Sequence, residues 1–243
     1  MRRVGHKGAD LIEPGNTLAS FDAALTHGVD MIELDVLPGL PPGALPGSGT
    51  GPLILAHDYE DAGEREPLSL EQGLSHLASA PFAAIDLIVD LKLPGYESRV
   101  VDALGNAGLK ERAIISTTYR NSLARLREAD PSVRIAWSVP RARRDYTRSI
   151  VMAGPALVAL RVMRRTLPKR AEAALRGGLC DAISAHWRLI SPALVAAVKS
   201  AGGELYAWTV DHSPQIRRLE QLGVTGVITN DPRLFGPRAA TSV

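Results

Sequence analysis

Apolar residues along this chain fall into short β-branched runs that alternate with stretches of helical period. Runs at Arg3–His6, Met31–Val36, Ile85–Leu91, Ala113–Thr117, Val133–Val139, Ala182–Ala185, Glu204–Val210 and Gly226–Thr229 predict eight strands. A further run, Leu53–His57, follows a Gly/Pro-rich excursion and is expected to fold back on the second strand. The intervening helices carry start and stop signals. Asn16 leads into the stripe Leu18, Phe21 and Leu25, which Gly28 closes. Ser69 with Gln72 forms a capping-box pair, because each side chain can satisfy the other residue's free amide. Ser191-Pro192 and Ser213-Pro214 each place a cap residue before a proline suited to the first helical position. Gly202 and Gly223 stand where those two helices end, and Asp130-Pro131 ends a helix that begins near Asn121.

Strands separated by helices of this length predict parallel βαβ units, and eight of them fit a closed (β/α)8 TIM barrel of the α/β class better than an open doubly wound sheet. Neither an internal repeat nor a low-complexity linker interrupts the pattern, so residues 1–243 read as a single domain with a small β-hairpin excursion after the second strand. The segment from Arg141 to Gly178 fits least well. Its basic residues, among them Arg141, Arg161, Arg165 and Arg170, face only Asp145 and Glu172. It reads either as a pair of helices with a solvated basic face or as a basic rim attracting a phosphate-bearing substrate or an anionic lipid surface.

Composition narrows this picture only slightly. At 243 residues, 45% hydrophobic and 22% charged, the chain matches an ordinary globular protein. A net charge of +2, with the basic residues gathered in one segment and no interleaved aromatics, argues against a nucleic-acid partner. The longest apolar stretch, Ile150 to Met163, is broken by Gly154-Pro155 and Arg161 and falls short of the roughly 20 residues of a membrane span. The start, Met-Arg-Arg, runs into no apolar leader, so the expectation is a cytoplasmic chain. The single cysteine, Cys180, permits no internal disulfide and reads as a small buried apolar residue. The pattern does not specify an oligomeric state.

In an α/β barrel the C-terminal ends of the strands form the active-site mouth, and here those ends hold His6-Lys7-Gly8, Glu33-Leu34-Asp35, His57-Asp58, Asp90-Leu91-Lys92, Trp208-Thr209-Val210-Asp211 and Asn230-Asp231-Pro232. Glu33 and Asp35, two apart on a strand, share a face. Together with Asp90 they would repel unless a hard divalent cation, Mg²⁺ or Ca²⁺, sat between them; the structural alternative is ion pairing with Lys7 and Lys92. His6 and His57 read as an acid and a base on either side of a scissile bond. The same cation and the two lysines would neutralise charge on a phosphodiester. Trp208 is either a wall for an apolar or quaternary-ammonium group or part of the barrel core. His27 and His76 sit on helices and need no function, whereas His186 and His212 follow strands and reach toward the mouth.

The stretch Gly5-His6-Lys7-Gly8, Pro14-Gly15-Asn16-Thr17 and Glu33-Leu34-Asp35-Val36 resembles the opening of the glycerophosphodiester phosphodiesterase family, which typically reads His-Arg-Gly, Pro-Glu-Asn-Thr and Glu-x-Asp-Val. His57-Asp58, Asp90–Lys92, Ala207-Trp208-Thr209-Val210 and Gly226–Pro232 follow in the family's order, so the resemblance spans essentially the whole chain. It implies a barrel enzyme that releases glycerol phosphate and an alcohol from glycerophosphodiesters. His6 and His57 would be general acid and base, Glu33, Asp35 and Asp90 the Mg²⁺ or Ca²⁺ ligands, and the glycerol 2-hydroxyl the first attacking group. Three positions depart from the pattern: Lys7 for arginine, Gly15 for glutamate (with Glu13 nearby as a candidate replacement) and Asp90 for glutamate. The short segments Leu37–Pro52 and Tyr59–Leu68 imply little lid above the mouth and room for bulky alcohol groups, lysophospholipids included. Two alternatives follow: lysophospholipase-D-like cleavage on the same barrel, and a catalytically silent phosphodiester-binding barrel.

Overall fold

A computed structural model describes residues 1–40, 51–140 and 153–237, with the backbone alone for 153–157. Eight parallel strands close a barrel: β1 (Arg2–Gly5), β2 (Met31–Pro38), β4 (Asp86–Leu91), β5 (Ala113–Thr117), β6 (Arg134–Val139), β7 (Ala182–His186), β8 (Glu204–Trp208) and β9 (Gly226–Thr229). Closure comes from β1, which pairs with β9 on one side and β2 on the other, with Val4 opposite both Ile228 and Met31. The short strand β3 (Leu53–Leu55) lies antiparallel on the end of β2, as the predicted excursion requires. The helices are α1 (Leu18–Thr26), α2 (Asp61–Glu64), α3 (Leu70–Leu77), α4 (Glu97–Asn106), α5 (Arg120–Ala129), α6 (Ala153–Arg176), α7 (Pro192–Ser200) and α8 (Ser213–Leu222).

Two apolar layers hold this arrangement. Side chains pointing outward from the strands pack against the helices in one large cluster around Phe21, Leu34, Leu74, Val100, Ile183 and Leu194. Inside the barrel a smaller layer takes one residue from each of the eight parallel strands: Val4, Met31, Ile88, Ile114, Ala136, Ala182, Tyr206 and Ile228. Neighbouring Ala136 and Ala182 leave room for the large Tyr206 ring, so the interior is filled and is not a pore. Cys180 is buried in the outer layer, and that burial pushes its thiol up to about 11, which leaves it inert at neutral pH.

The predicted boundaries shift in a few places. The first predicted strand stops at Gly5, and the seventh, β8, at Trp208. Helix α1 is capped by Thr17, whose hydroxyl accepts from the Ser20 amide while Ser20 reciprocates, so Asn16 is released for another task. His212 occupies the cap position of α8, one residue before the predicted Ser213, and α5 starts at Arg120. Of the pair of helices expected between Arg141 and Gly178, the described residues hold the 24-residue α6, which continues through Pro168, while the part of the segment before Ala153 lies outside the described residues. Arg141, Arg143, Arg144, Asp145 and Arg148, and the middle of the Leu37–Pro52 excursion, lie outside the described residues.

Candidate active site

The loop after β1 turns sharply. Lys7 and Asn16 both take left-handed backbone angles (φ 50° and 59°), and Gly8 (φ 88°) lies so close to Ser20 that a Cβ there would meet its backbone carbonyl at 2.6 Å. The Lys7 carbonyl accepts from the Asn16 amide at 2.9 Å and the Ser20 hydroxyl at 2.7 Å, which ties the loop to the start of α1. Asn16 is thereby aimed into the barrel. Its side-chain Oδ1 accepts from the Asp35 amide at 3.0 Å, and its Nδ2 donates to Asp35 Oδ2 at 3.2 Å. The second motif asparagine is thus a clamp on an acid of β2, a role that the helix-start signal concealed.

Strand register brings the acids together. Asp35 lies opposite Asp90 across β2 and β4, and Glu33 projects from the same face two residues earlier. One ligand oxygen from each of Glu33, Asp35 and Asp90 falls within 4.8 Å of the others. Lys92 threads between two of them, with Nζ 2.6 Å from Asp35 Oδ1 and 2.7 Å from Asp90 Oδ2. Both Asp35 Oδ1 and Asp90 Oδ1 are buried without a hydrogen bond of good geometry, the close ammonium at Asp35 being an ion pair off the hydrogen-bond direction. Three carboxylates against one ammonium, with Asp90 Oδ1 left unpartnered, make an all-oxygen set able to hold a hard divalent cation.

Electrostatics follow from this crowding. Burial, reinforced by Asp35, drives the Glu33 carboxyl well above the ordinary glutamate value. Burial also raises Asp35, but the Lys92 ammonium and then His6 and His57 outweigh it and hold that carboxyl below the usual range. Lys92 is lowered by burial, yet the attraction of Asp35, Asp90 and Glu33 wins and keeps it firmly protonated. Tyr96 pins the segment: its hydroxyl donates to the Val36 carbonyl at 2.6 Å and accepts from the Leu93 amide at 3.2 Å, beside Lys92.

His6 approaches the acids with Nε2 3.8 Å from Glu33 Oε2. Burial lowers its pKa, so the ring is neutral near pH 7. Its Nδ1 meets Asn230 Oδ1 at 2.5 Å; Asn230 Nδ2 donates to Asp211 Oδ2 at 2.6 Å, and Asp211 Oδ1 accepts from the Asn230 amide and the Thr229 hydroxyl. With the Asn230 amide oriented by Asp211, its oxygen requires a proton on His6 Nδ1 and leaves the Nε2 lone pair free. This Asp211–Asn230–His6 chain is absent from the sequence-level site; its only signal was the position of both partners just past strand ends.

His57 stands on the excursion after β3. Its side chain is half exposed, with Nδ1 3.0 Å from Asp58 Oδ2 and its backbone amide on Asp61. Arg65 joins this segment to the first loop by donating to the Gly15 carbonyl. Lys7 differs from the expectation of a lysine facing the acids. Its amide donates to Glu33 Oε2 at 3.0 Å, but its ammonium pairs with Asp10 at 2.6 Å. Asp10 also accepts from the Gly15 amide, and a Cβ on Gly15 would meet Asp10 Oδ1 at 2.3 Å and Lys7 Cβ at 2.8 Å. The space beside residue 15 is therefore filled by Asp10, while Glu13 is exposed. Trp208 packs on the interior layer, with its indole nitrogen buried and unpartnered and its ring edge-on to His186 at 5.4 Å. His76 pairs with Asp22 at 2.8 Å on the outer surface, away from the mouth.

Known proteins resemble this chain in sequence and in fold. A glycerophosphodiester phosphodiesterase of Caldanaerobacter subterraneus subsp. tengcongensis is 26% identical, with 94% of this chain and 93% of that protein covered. One of Bacillus subtilis is 25% identical, covering 96% and 84%. Among solved structures, a glycerophosphodiester phosphodiesterase from Agrobacterium tumefaciens superposes with a TM-score of 0.69 at 18% identity, covering 98% of this chain and all of that one. An Oleispira antarctica phosphodiesterase in complex with the product sn-glycerol-3-phosphate gives 0.67 at 17%, covering 96% and 94%; at these identities the two structures speak for the fold. The sequence profile of the glycerophosphoryl diester phosphodiesterase family matches residues 90–234, from the third acid of the cluster to the last turn after β9, and the chain belongs to that family.

Proposed function

We propose that this protein hydrolyses glycerophosphodiesters to glycerol 3-phosphate and an alcohol, with Mg²⁺ or Ca²⁺ held by Glu33, Asp35 and Asp90. The observation that carries the reading is the pairing of this carboxylate cluster with a neutral, oriented His6 whose Nε2 lies beside Glu33. When bound, the cation supplies positive charge to the phosphoryl oxygens. The remaining work falls to the chain. His6 Nε2, free to accept because Asn230 takes the proton on Nδ1, removes the proton of the attacking hydroxyl. His57, oriented by Asp58, gives a proton to the departing alcohol oxygen as its bond to phosphorus breaks. Where the glycerol 2-hydroxyl has attacked, water then opens the cyclic phosphate, with His57 taking the water proton and His6 returning one to the 2-oxygen, to leave glycerol 3-phosphate. Lys92 fixes Asp35 and Asp90 while offering its remaining positive field to the phosphate, and Lys7 joins it on exchanging Asp10 for the substrate. Asn16 keeps Asp35 in register, and Trp208 forms one wall.

The test is release of glycerol 3-phosphate from glycerophosphocholine, glycerophosphoethanolamine and glycerophosphoinositol. Turnover should vanish after EDTA treatment, return with one of the two cations, and be lost in His6→Ala and His57→Ala. Equal turnover with and without EDTA would refute the metal assignment, and full activity in both histidine variants would refute the acid–base one.

A further inference from the structure

Exposed apolar side chains are unevenly distributed over this barrel. Among the described residues five large hydrophobics are exposed: Met1, Leu11, Leu40, Val158 and Val162. Met1 precedes β1 and lies at the end opposite the site. The other four follow the C-terminal ends of strands: Leu11 in the loop after β1, Leu40 just past β2, and Val158 and Val162 on α6 after β6. All four therefore belong to the mouth side.

Helix α6 explains how the last two come to be exposed. Helices α1, α3, α4, α5, α7 and α8 have 8 to 10 residues, whereas α6 has 24. Its fully buried contacts with the core begin only at Leu167 and continue through Ala171, Ala174 and Leu175. At about 1.5 Å per residue, the portion from Ala153 to Leu167 reaches roughly 20 Å beyond this anchored part, toward the mouth, because a helix after a barrel strand runs antiparallel to it. Leu160 and Met163, half-buried, point to the core side. Val158, Val162, Arg165 and Lys169 recur at helical spacing on the opposite stripe, with Arg161 beside them, all exposed. The one acid of α6, Glu172, is taken by Arg176 at 3.0 Å.

We propose that the outer stripe of α6 is a docking face for an anionic phospholipid bilayer. Charge complementarity favours this occupant: guanidinium groups match headgroup phosphates while interleaved valines enter the acyl boundary. Nucleic acid would call for stacking aromatics, which the stripe lacks. The proposal rests on the phosphodiesterase reading in holding that site beside a surface of phosphate esters, and its test reads binding, which does not depend on turnover.

The full chain is sedimented with vesicles of phosphatidylcholine alone and of phosphatidylcholine mixed with phosphatidylglycerol, at low and high salt. Binding is expected only to the mixed vesicles and should weaken with salt. It should fall about 25-fold or more in Arg161→Glu/Arg165→Glu, at roughly fivefold per cation, and also in Val158→Asp/Val162→Asp. Turnover of soluble glycerophosphocholine stays unchanged in both α6 variants. Failure of the wild type to bind anionic vesicles at low salt overturns the proposal, as does binding indifferent to both variants. A dimer dispersed by Val158→Asp/Val162→Asp, or RNA bound in preference to vesicles, likewise assigns the stripe to another partner and overturns it.

Discussion

Replacing Asp211 by asparagine changes one atom at a residue that touches neither the acid cluster nor His6, yet it should reverse the polarity of the histidine. In the native chain Asp211 Oδ2 accepts from Asn230 Nδ2 at 2.6 Å, which turns Asn230 Oδ1 toward His6 Nδ1. In the variant, Oδ1 must remain an oxygen because it accepts from the Asn230 amide and the Thr229 hydroxyl. The new amide nitrogen then stands in the Oδ2 position and faces another amide nitrogen. Rotating the Asn230 side chain relieves the clash, but it presents NH2 to His6 Nδ1 and moves the ring proton to Nε2. The base has lost its lone pair. Keeping the native tautomer means leaving a donor unpaired, a cost of about 1–3 kcal/mol. Asp211 is exposed and water tempers this, so the upper half of that range is not reached. A cost of about 2 kcal/mol lowers kcat/KM by roughly 30-fold. The assay is kcat/KM for glycerophosphocholine against pH, beside calorimetric cation affinity and thermal stability. Cation affinity should be unchanged, since Asp211 is not in the cluster. A variant within twofold of wild type in kcat/KM would refute the reasoning, and a loss fully explained by weaker cation binding would replace it with a structural role.

Lys92→Met should leave the buried Asp35 and Asp90 carboxylates uncompensated, lowering stability by about 3 kcal/mol and Tm by roughly 10 °C; a divalent cation should restore at least half of the loss in differential scanning calorimetry, and equal losses with and without cation would count against the shared site. Because the Glu33 carboxyl lies well above its ordinary value of 4.5, the metal-free folded state binds more protons than the unfolded chain in the window above that value. Its contribution to stability therefore falls as pH rises through that window, and cation binding there should release a proton, seen as a buffer-dependent heat in titration calorimetry; no dependence on buffer ionisation would refute it. Gly15→Glu, which restores the family residue, should destabilise by about 1–3 kcal/mol through overpacking against Asp10 and Lys7, and Asp10→Gly in the same chain should recover most of this by denaturant titration.

The barrel was readable from sequence because its evidence is local and repeated: each strand is a short apolar run, and caps such as Ser69 and Ser191 act within a few residues. The acid cluster was readable for a related reason, since strand periodicity places Glu33 and Asp35 on one face. What was missed depends on contacts between distant residues. Asp211 and Asn230 are nineteen positions apart, and Asn230 meets His6 across the closure of the sheet. Asn16 carries helix-cap propensity, but its buried partner on β2 took precedence and Thr17 became the cap. Lys7 was expected at the acids, and only the turn geometry shows Asp10 holding its ammonium. In the basic stretch before Gly178, packing of Leu167 and Ala171 against the core carries α6 through Pro168, a tertiary contact that no local pattern announces.

The interior layer built from one side chain per strand has a consequence for traffic. By plugging the barrel beneath the acid cluster it makes the reaction chamber a cul-de-sac. Among the described residues that layer leaves no rear exit past Tyr206, so water, diester, alcohol and phosphate monoester share the doorway at the mouth. Whatever occupies that doorway sets the order in which the others pass.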